Sequence, residues 1–363
     1  MLCILLSDIL STWGYSQIAA LLNLHLLGRG HSLTSIAALT SATFASSFVC
    51  SLPAGLAVDG IGPQPALLLA ALLQAGAVWL QLGAATSFQL ALAGLAMGAA
   101  LALFTAAKTP LLATLATASR RLPATLALFR GCNSLAAVGG GLVAAWQSAA
   151  SGGLVAPLLS GALLVSCAPL PLLRLKDRRR PLPVRAKQKQ SKPQSALLVS
   201  FFCCSLAASL LMPYLNLLLS QRGLTPAQVS ASFSAWQLAA LLAWQVTVRL
   251  MSISAALPLT LAALALLAAL ACLPQPAATW WLLILTWQMG LSVSLNFYHG
   301  RLAAPAQARG MRFALVGMLN TAAAVAGAWL GARLLAGSQF WLLLAVSGCA
   351  ATALALALLP DPR

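Results

Sequence analysis

The sequence predicts an all-α membrane protein, with twelve transmembrane helices arranged as two pseudo-symmetric six-helix bundles. Three observations predict it: a composition that water cannot solvate, twelve apolar runs of spanning length, and a pattern that recurs in the second half. Of the 363 residues, 61% are hydrophobic and only 7% are charged, against about 25% charged in a soluble domain. Such a chain has too little polar surface to cover itself, so lipid is its solvent. A helix needs about 20 apolar residues to cross the hydrocarbon core and satisfies its own backbone there. Period-two alternation is absent, which excludes a β-barrel.

The first half carries apolar runs over 2–27, 33–54, 66–84, 88–107, 123–147 and 153–173. The second carries them over 196–220, 226–247, 255–272, 279–298, 313–335 and 339–359. Turn formers punctuate the joints: Gly28 and Gly30, Gly60 to Pro65, Gly152 and Gly153, Arg222 to Pro226, Pro274 and Pro276, and Gly337. The predicted organisation is a bundle over 1–173, a basic linker over 174–195, and a second bundle over 196–363. The loops are too short for an extramembrane domain. The segment from Leu2 is apolar at once and lacks a basic start, so no cleavable signal is expected. The eight cysteines lie in apolar runs without a CxxC pair and read as small hydrophobes.

A formal charge of +17 invites a nucleic-acid reading, but the basic residues do not form a domain, and no nucleic-acid partner is expected. They form a topology signal. Nine lie between Arg174 and Lys192, and Lys108, Arg120, Arg121, Arg249, Arg301, Arg309, Arg312 and Arg363 fall on the same side, making 17. The opposite side has Arg29, Arg222 and Arg333, while Arg130 lies inside a run. This 17-to-3 split predicts a multi-pass protein of the cytoplasmic (inner) membrane with both termini inside. The linker is expected to meet anionic lipid.

The halves repeat. Asn23-Leu24-His25-Leu26, then Arg29-Gly30, matches Asn216-Leu217-Leu218-Leu219, then Arg222-Gly223, at a spacing of 193. Asn133-Ser134-Leu135-Ala136 matches Asn320-Thr321-Ala322-Ala323 at 187, and Met97-Gly98 recurs as Met289-Gly290. Six spans per half make this a parallel repeat.

With its six-plus-six plan, its inside termini, and Gly55, Asp59 and Gly62 between the second and third runs, the chain resembles the major facilitator superfamily of transporters. The resemblance implies that Gly55, Asp59 and Gly62 form a gating loop. Gly60, Pro63 and Gln64 stand where that family has basic residues. Asp59 is equally suited to capping the next helix. On the fifth run, Gly131 and Gly139-Gly140-Gly141 partly match the family's antiporter signature but lack its proline, so they read first as close-packing positions.

There is no glutamate, and of the four aspartates only Asp8 lies inside a span, where an ionisable group is costly and points to function. Asp8, Thr12, Tyr15 and Asn23 lie near one helix face, bordered by Ser16 and Gln17, so this stripe should line a water-filled cavity. Asp8 and Arg130 sit at similar depth, and the resemblance implies that their helices are neighbours. Asp8 is therefore the expected carrier of a coupling proton, and Arg130 the charge that responds to it. Burial favours a neutral carboxyl and a nearby arginine favours a carboxylate, so alternating exposure would switch proton affinity. The plainer alternative has both side chains snorkelling to the interface as anchors. Further cavity candidates are Asn133, Asn216, Gln237, Gln288, Asn296, Tyr298 and Asn320, with Tyr214 and Trp236 nearby.

His25, His31 and His299 are not spaced as metal ligands, and neither a metal nor another cofactor is expected. An enzyme would need clustered acids, bases or ligands, which the sequence lacks. The resemblance implies a monomeric secondary transporter of a small organic solute, working by alternating access with protons as coupling ion. Export of a metabolite, drug-like compound or siderophore, by antiport, is favoured. Import or facilitated entry of a nutrient is the alternative, as is a transport-inactive receptor or scaffold.

Overall fold

The computed structural model describes residues 2–117, 122–174, 195–221, 223–253 and 309–337. Its helices are α1 (Leu2–Gly28), α2 (Leu33–Ile61), α3 (Pro63–Gly83), α4 (Ser87–Thr117), α5 (Leu122–Ser151), α6 (Val155–Cys167) and α7 (Pro169–Leu172). Beyond the linker come α8 (Ser195–Leu211), a 3₁₀ turn (Met212–Tyr214), α9 (Leu215–Gln221), α10 (Pro226–Ile253) and α11 (Arg309–Gly337). There is no strand among the described residues. The predicted runs over 255–272, 279–298 and 339–359 lie outside them.

Among the described residues, five segments are long and apolar enough to cross a membrane: Leu33–Ile61, Pro63–Gly83, Ser87–Lys108, Val155–Leu172 and Phe201–Gln221. Large apolar side chains on these and neighbouring helices stand open, with Leu52 and Phe88 each 77% and Trp146 69% exposed. Water would not tolerate so much bare hydrocarbon, whereas lipid does.

The chain divides into two compact units, Met1–Arg180 with Asn216–Gln237, and Pro181–Leu215 with Leu238–Arg363. In the first, α1 packs on α5 and α6, α2 on α4, and α3 on α4 and α6. In the second, α8 packs on α11. Small residues permit these approaches. A Cβ on Gly140 would run into the Trp13 carbonyl of α1, and one on Gly161 would sit 2.6 Å from the Gly14 carbonyl. The third glycine of the triplet, Gly141, faces Ser230 and Ser234 of α10 instead.

The repeat is built into the backbone. Gly30 and Gly223 both adopt left-handed φ, at 85° and 84°. Each closes its helix in the same way: His31 N–H donates to Leu26 O and Gly30 N–H to Leu27 O, as Leu224 N–H does to Leu219 O and Gly223 N–H to Ser220 O. That is one C-terminal cap, a Schellman motif, used twice at a spacing of 193. Helix starts follow local chemistry too. Thr86 with Gln89, and Thr225 with Gln228, exchange side-chain and backbone hydrogen bonds as capping boxes at the heads of α4 and α10.

Two loop expectations need correction. Gly55 and Asp59 lie within the last turns of α2, and the joint to α3 shrinks to Gly62, at φ 92°. Asp59 does not cap α3. It is exposed on α2, and the N-cap of α3 is Gly62, which has no side chain to offer. Lys108, expected in a loop, is helical within α4. At the opposite end of α3, Arg29 Nη1 donates to Leu82 O at 2.5 Å, and His31 Nε2 lies 3.1 Å from Ala84 O. Cationic and imidazole groups thus meet the free carbonyls of that helix end.

Candidate functional site

The polar stripe of α1 opens on a cavity of about 370 Å³. Asp8, Ser11, Thr12, Tyr15 and Ser16 line it from α1, Gln74 from α3, and Ala100, Leu101 and Phe104 from α4. Asn133, Ser134 and Ala137 come from α5, and Gln237 from α10. The i, i+3, i+4, i+7 spacing of Asp8, Ser11, Thr12 and Tyr15 sets them on one face. Ser11 Oγ donates to Gln74 Oε1 at 2.9 Å, and Ser16 Oγ to the Thr12 carbonyl at 2.7 Å.

Asp8 is the charged centre. Its side chain is 3% exposed and forms an ion pair through Oδ2 with Lys108 Nζ of α4, itself 18% exposed. Asn133 Nδ2 donates to the same oxygen at 3.1 Å. The Lys108 ammonium also lies 5.0 Å from the centroid of Phe104 and 5.6 Å from that of Phe129, so ring faces supply part of its surroundings. A buried carboxylate is tolerable only when paired and hydrogen-bonded, and the site provides both. Arg130 lies on α5; its side chain falls outside the described residues.

Of the cavity residues expected from sequence, Thr12, Tyr15, Asn133 and Gln237 come together around Asp8. Gln17 is buried elsewhere, its Oε1 accepting from Ser160 Oγ of α6 at 2.6 Å. Asn23 Nδ2 donates to Asn216 Oδ1 at 3.0 Å, joining two positions equivalent in the repeat. Asn216 is 1% exposed, and its own amide reaches the Ala20 carbonyl at 3.3 Å. Asn320 is exposed on α11, and Tyr214 donates to Ala328 O at 2.6 Å within the second unit. Gln288, Asn296 and Tyr298 lie outside the described residues.

Lys108, Ser11, Gln74 and Phe104 were not singled out by the sequence. The i, i+4 spacing of Phe104 and Lys108, in an apolar stretch continuing to Leu111 and Leu112, was the available signal. Among the described residues, no group of three His, Cys, Asp or Glu is arranged to hold a metal ion.

The Major Facilitator Superfamily profile matches residues 3–298. No curated protein sequence matches significantly. Among solved structures, the chain is similar to a D-xylose-proton symporter, with TM-score 0.76, 12% identity, and 99% of this chain and 97% of that one covered. It is also similar to a bacterial homologue of the iron transporter ferroportin in inward-facing state, with TM-score 0.69, 17% identity, and 98% and 96% covered. The nucleoside transporter NupG gives TM-score 0.70, 16% identity, and 99% and 100% covered. At such identities these likenesses speak for the fold, and the profile match speaks for the family. The chain belongs to the Major Facilitator Superfamily and is a multi-pass membrane transporter.

Proposed function

We propose that the protein is a secondary active transporter that moves a small organic solute by alternating access, with Asp8 carrying the coupling proton. One observation carries this reading: buried Asp8 lines the cavity and is ion-paired with Lys108. At about 370 Å³ the cavity lies in the usual range of about 300–1,000 Å³ for small-molecule sites. Protonating Asp8 would cancel its charge and leave the Lys108 ammonium without its counter-ion. An uncompensated buried charge costs several kcal/mol. A rearrangement that hydrates Lys108 relieves that cost, so proton binding and change of access bias each other.

In this reading twelve helices form two six-helix bundles, and Arg130 shares the charge response. Gly55, Asp59 and Gly62 act at the gate. The protein works as a monomer in the cytoplasmic membrane, with both termini inside and the 174–195 linker against anionic lipid. Export, with protons entering in exchange, is favoured; import is the alternative.

The test is proton flux in proteoliposomes under an imposed pH gradient. The variant Asp8→Asn should abolish solute-dependent proton movement while eluting as a monodisperse, folded protein. Undiminished flux in that variant would end the proposal.

A further inference from the structure

Asn133 carries an inference about what the cavity binds, one that rests on the transport reading. Its Nδ2 donates to Asp8 Oδ2 at 3.1 Å. That contact fixes the orientation of the amide, because the reverse flip would set a carbonyl oxygen against a carboxylate. The other end of the amide is therefore committed. Asn133 Oδ1 is buried and has no hydrogen-bond partner. Leaving a buried acceptor unmade costs about 1–3 kcal/mol, so such atoms call for an explanation. Among the side chains with an unpartnered buried atom, Asn133 is the one that lines this cavity; Ser41, Gln81, Ser148, Ser205 and Ser230 do not.

We propose that Asn133 Oδ1 is the recognition point for an O–H or N–H donor on the transported solute. Its surroundings narrow the class further. The described lining offers hydroxyls and amides, from Ser11, Thr12, Tyr15, Gln74, Ser134 and Gln237. Its one carboxylate is already matched by Lys108. The solute is accordingly one that presents hydroxyl or amide donors to these groups and apolar surface to Ala100, Leu101, Phe104 and Ala137. Solute, Asn133 and Asp8 Oδ2 then form one chain of hydrogen bonds whose links polarise each other. This places solute occupancy in direct contact with the ion pair.

The test titrates the purified protein with D-ribose, uridine and mannitol, each beside its fully O-methylated counterpart, following intrinsic tryptophan fluorescence. At least one donor-bearing probe should bind about ten-fold more tightly than its methyl ether, the equivalent of about 1.4 kcal/mol. Asn133→Leu, which keeps the bulk and removes the acceptor, should erase that ratio. Asn133→Ala repeats the comparison with a smaller side chain. The wild-type ratio is read without any variant, so its absence overturns the assignment even if both variants misfold, whereas a folded variant that loses it locates the recognition at Asn133. A wild type that binds none of the three probes, or that does not discriminate against the ethers, overturns the assignment. So does a folded variant that keeps the ratio. If Asp8→Asn leaves proton flux intact while the binding ratio holds, the coupling reading falls and this one stands. The converse pattern removes this one alone.

Discussion

Lys108 and Asp8 stabilise each other only as a pair. With the carboxylate 3% and the ammonium 18% exposed, the pair lies near the buried limit, where deleting one partner costs about 3–5 kcal/mol. Lys108→Met should therefore lower thermal stability strongly, by roughly 3 kcal/mol, because it strands the Asp8 carboxylate. Adding Asp8→Asn should restore most of it, since two neutral side chains leave nothing uncompensated. A double-mutant cycle in detergent measures the coupling, and simple additivity of the two losses would contradict the pairing. The residue scale also shows what was legible. Asp8 stood out because an aspartate inside an apolar run is rare, and its partners Thr12 and Tyr15 followed from helical spacing. Gln17 lies nine residues on, roughly 180° around the helix, and packs toward α6 for that reason. Asn23 shares the face by angle but sits roughly 22 Å further along the axis, at the other end. Lys108 was misread because a charge after an apolar run looks like a loop, whereas a buried counter-ion and two ring faces let the helix continue through it.

At the scale of elements, glycine has opposite meanings along one helix. On α5, a Cβ at Gly140 would strike the Trp13 backbone of α1, while one at Gly131 would meet nothing within 4 Å. Gly140→Ala should push α1 and α5 apart and destabilise by about 1–3 kcal/mol. Gly131→Ala fills open space in a helix interior and should stabilise by about 0.5–1 kcal/mol. Melting temperatures of the two variants should thus shift in opposite directions, and a shift of the same sign in both would refute the packing of α1 on α5. Sequence reading located these helices well, because an apolar run and a following glycine mark both ends of α1, and Pro226 marks the start of α10. It was weakest at α2 and α4, which run past the predicted ends at 54 and 107 to Ile61 and Thr117. Pro53 lies inside α2 and Pro110 inside α4, so a proline near each predicted end did not stop the helix. The capping boxes Thr86–Gln89 and Thr225–Gln228 were legible as spacing and would have fixed two helix starts.

At the scale of the whole molecule, orientation is a matter of charge and of the repeat together. The 17 basic residues on one predicted side and 3 on the other would set the termini and the 174–195 linker in the cytoplasm. The repeat adds a constraint that charge counting does not. Gly30 and Gly223 close their helices with one cap geometry at a spacing of 193, so the ends of α1 and α9 should face the same compartment. Gly28 and Gln221 are equivalent positions at those ends, and both are exposed. In a cysteine-free background, Gly28→Cys and Gln221→Cys should both react with a membrane-impermeant maleimide in intact cells. Gln188→Cys, in the linker, should react only after the membrane is opened. Labelling of Gly28→Cys and Gln221→Cys from opposite sides would break the parallel repeat, since an odd number of crossings would then separate them. Labelling of both from the linker's side would leave the repeat intact and invert the orientation, which would mean that the basic loops had crossed the membrane against the potential that normally retains them.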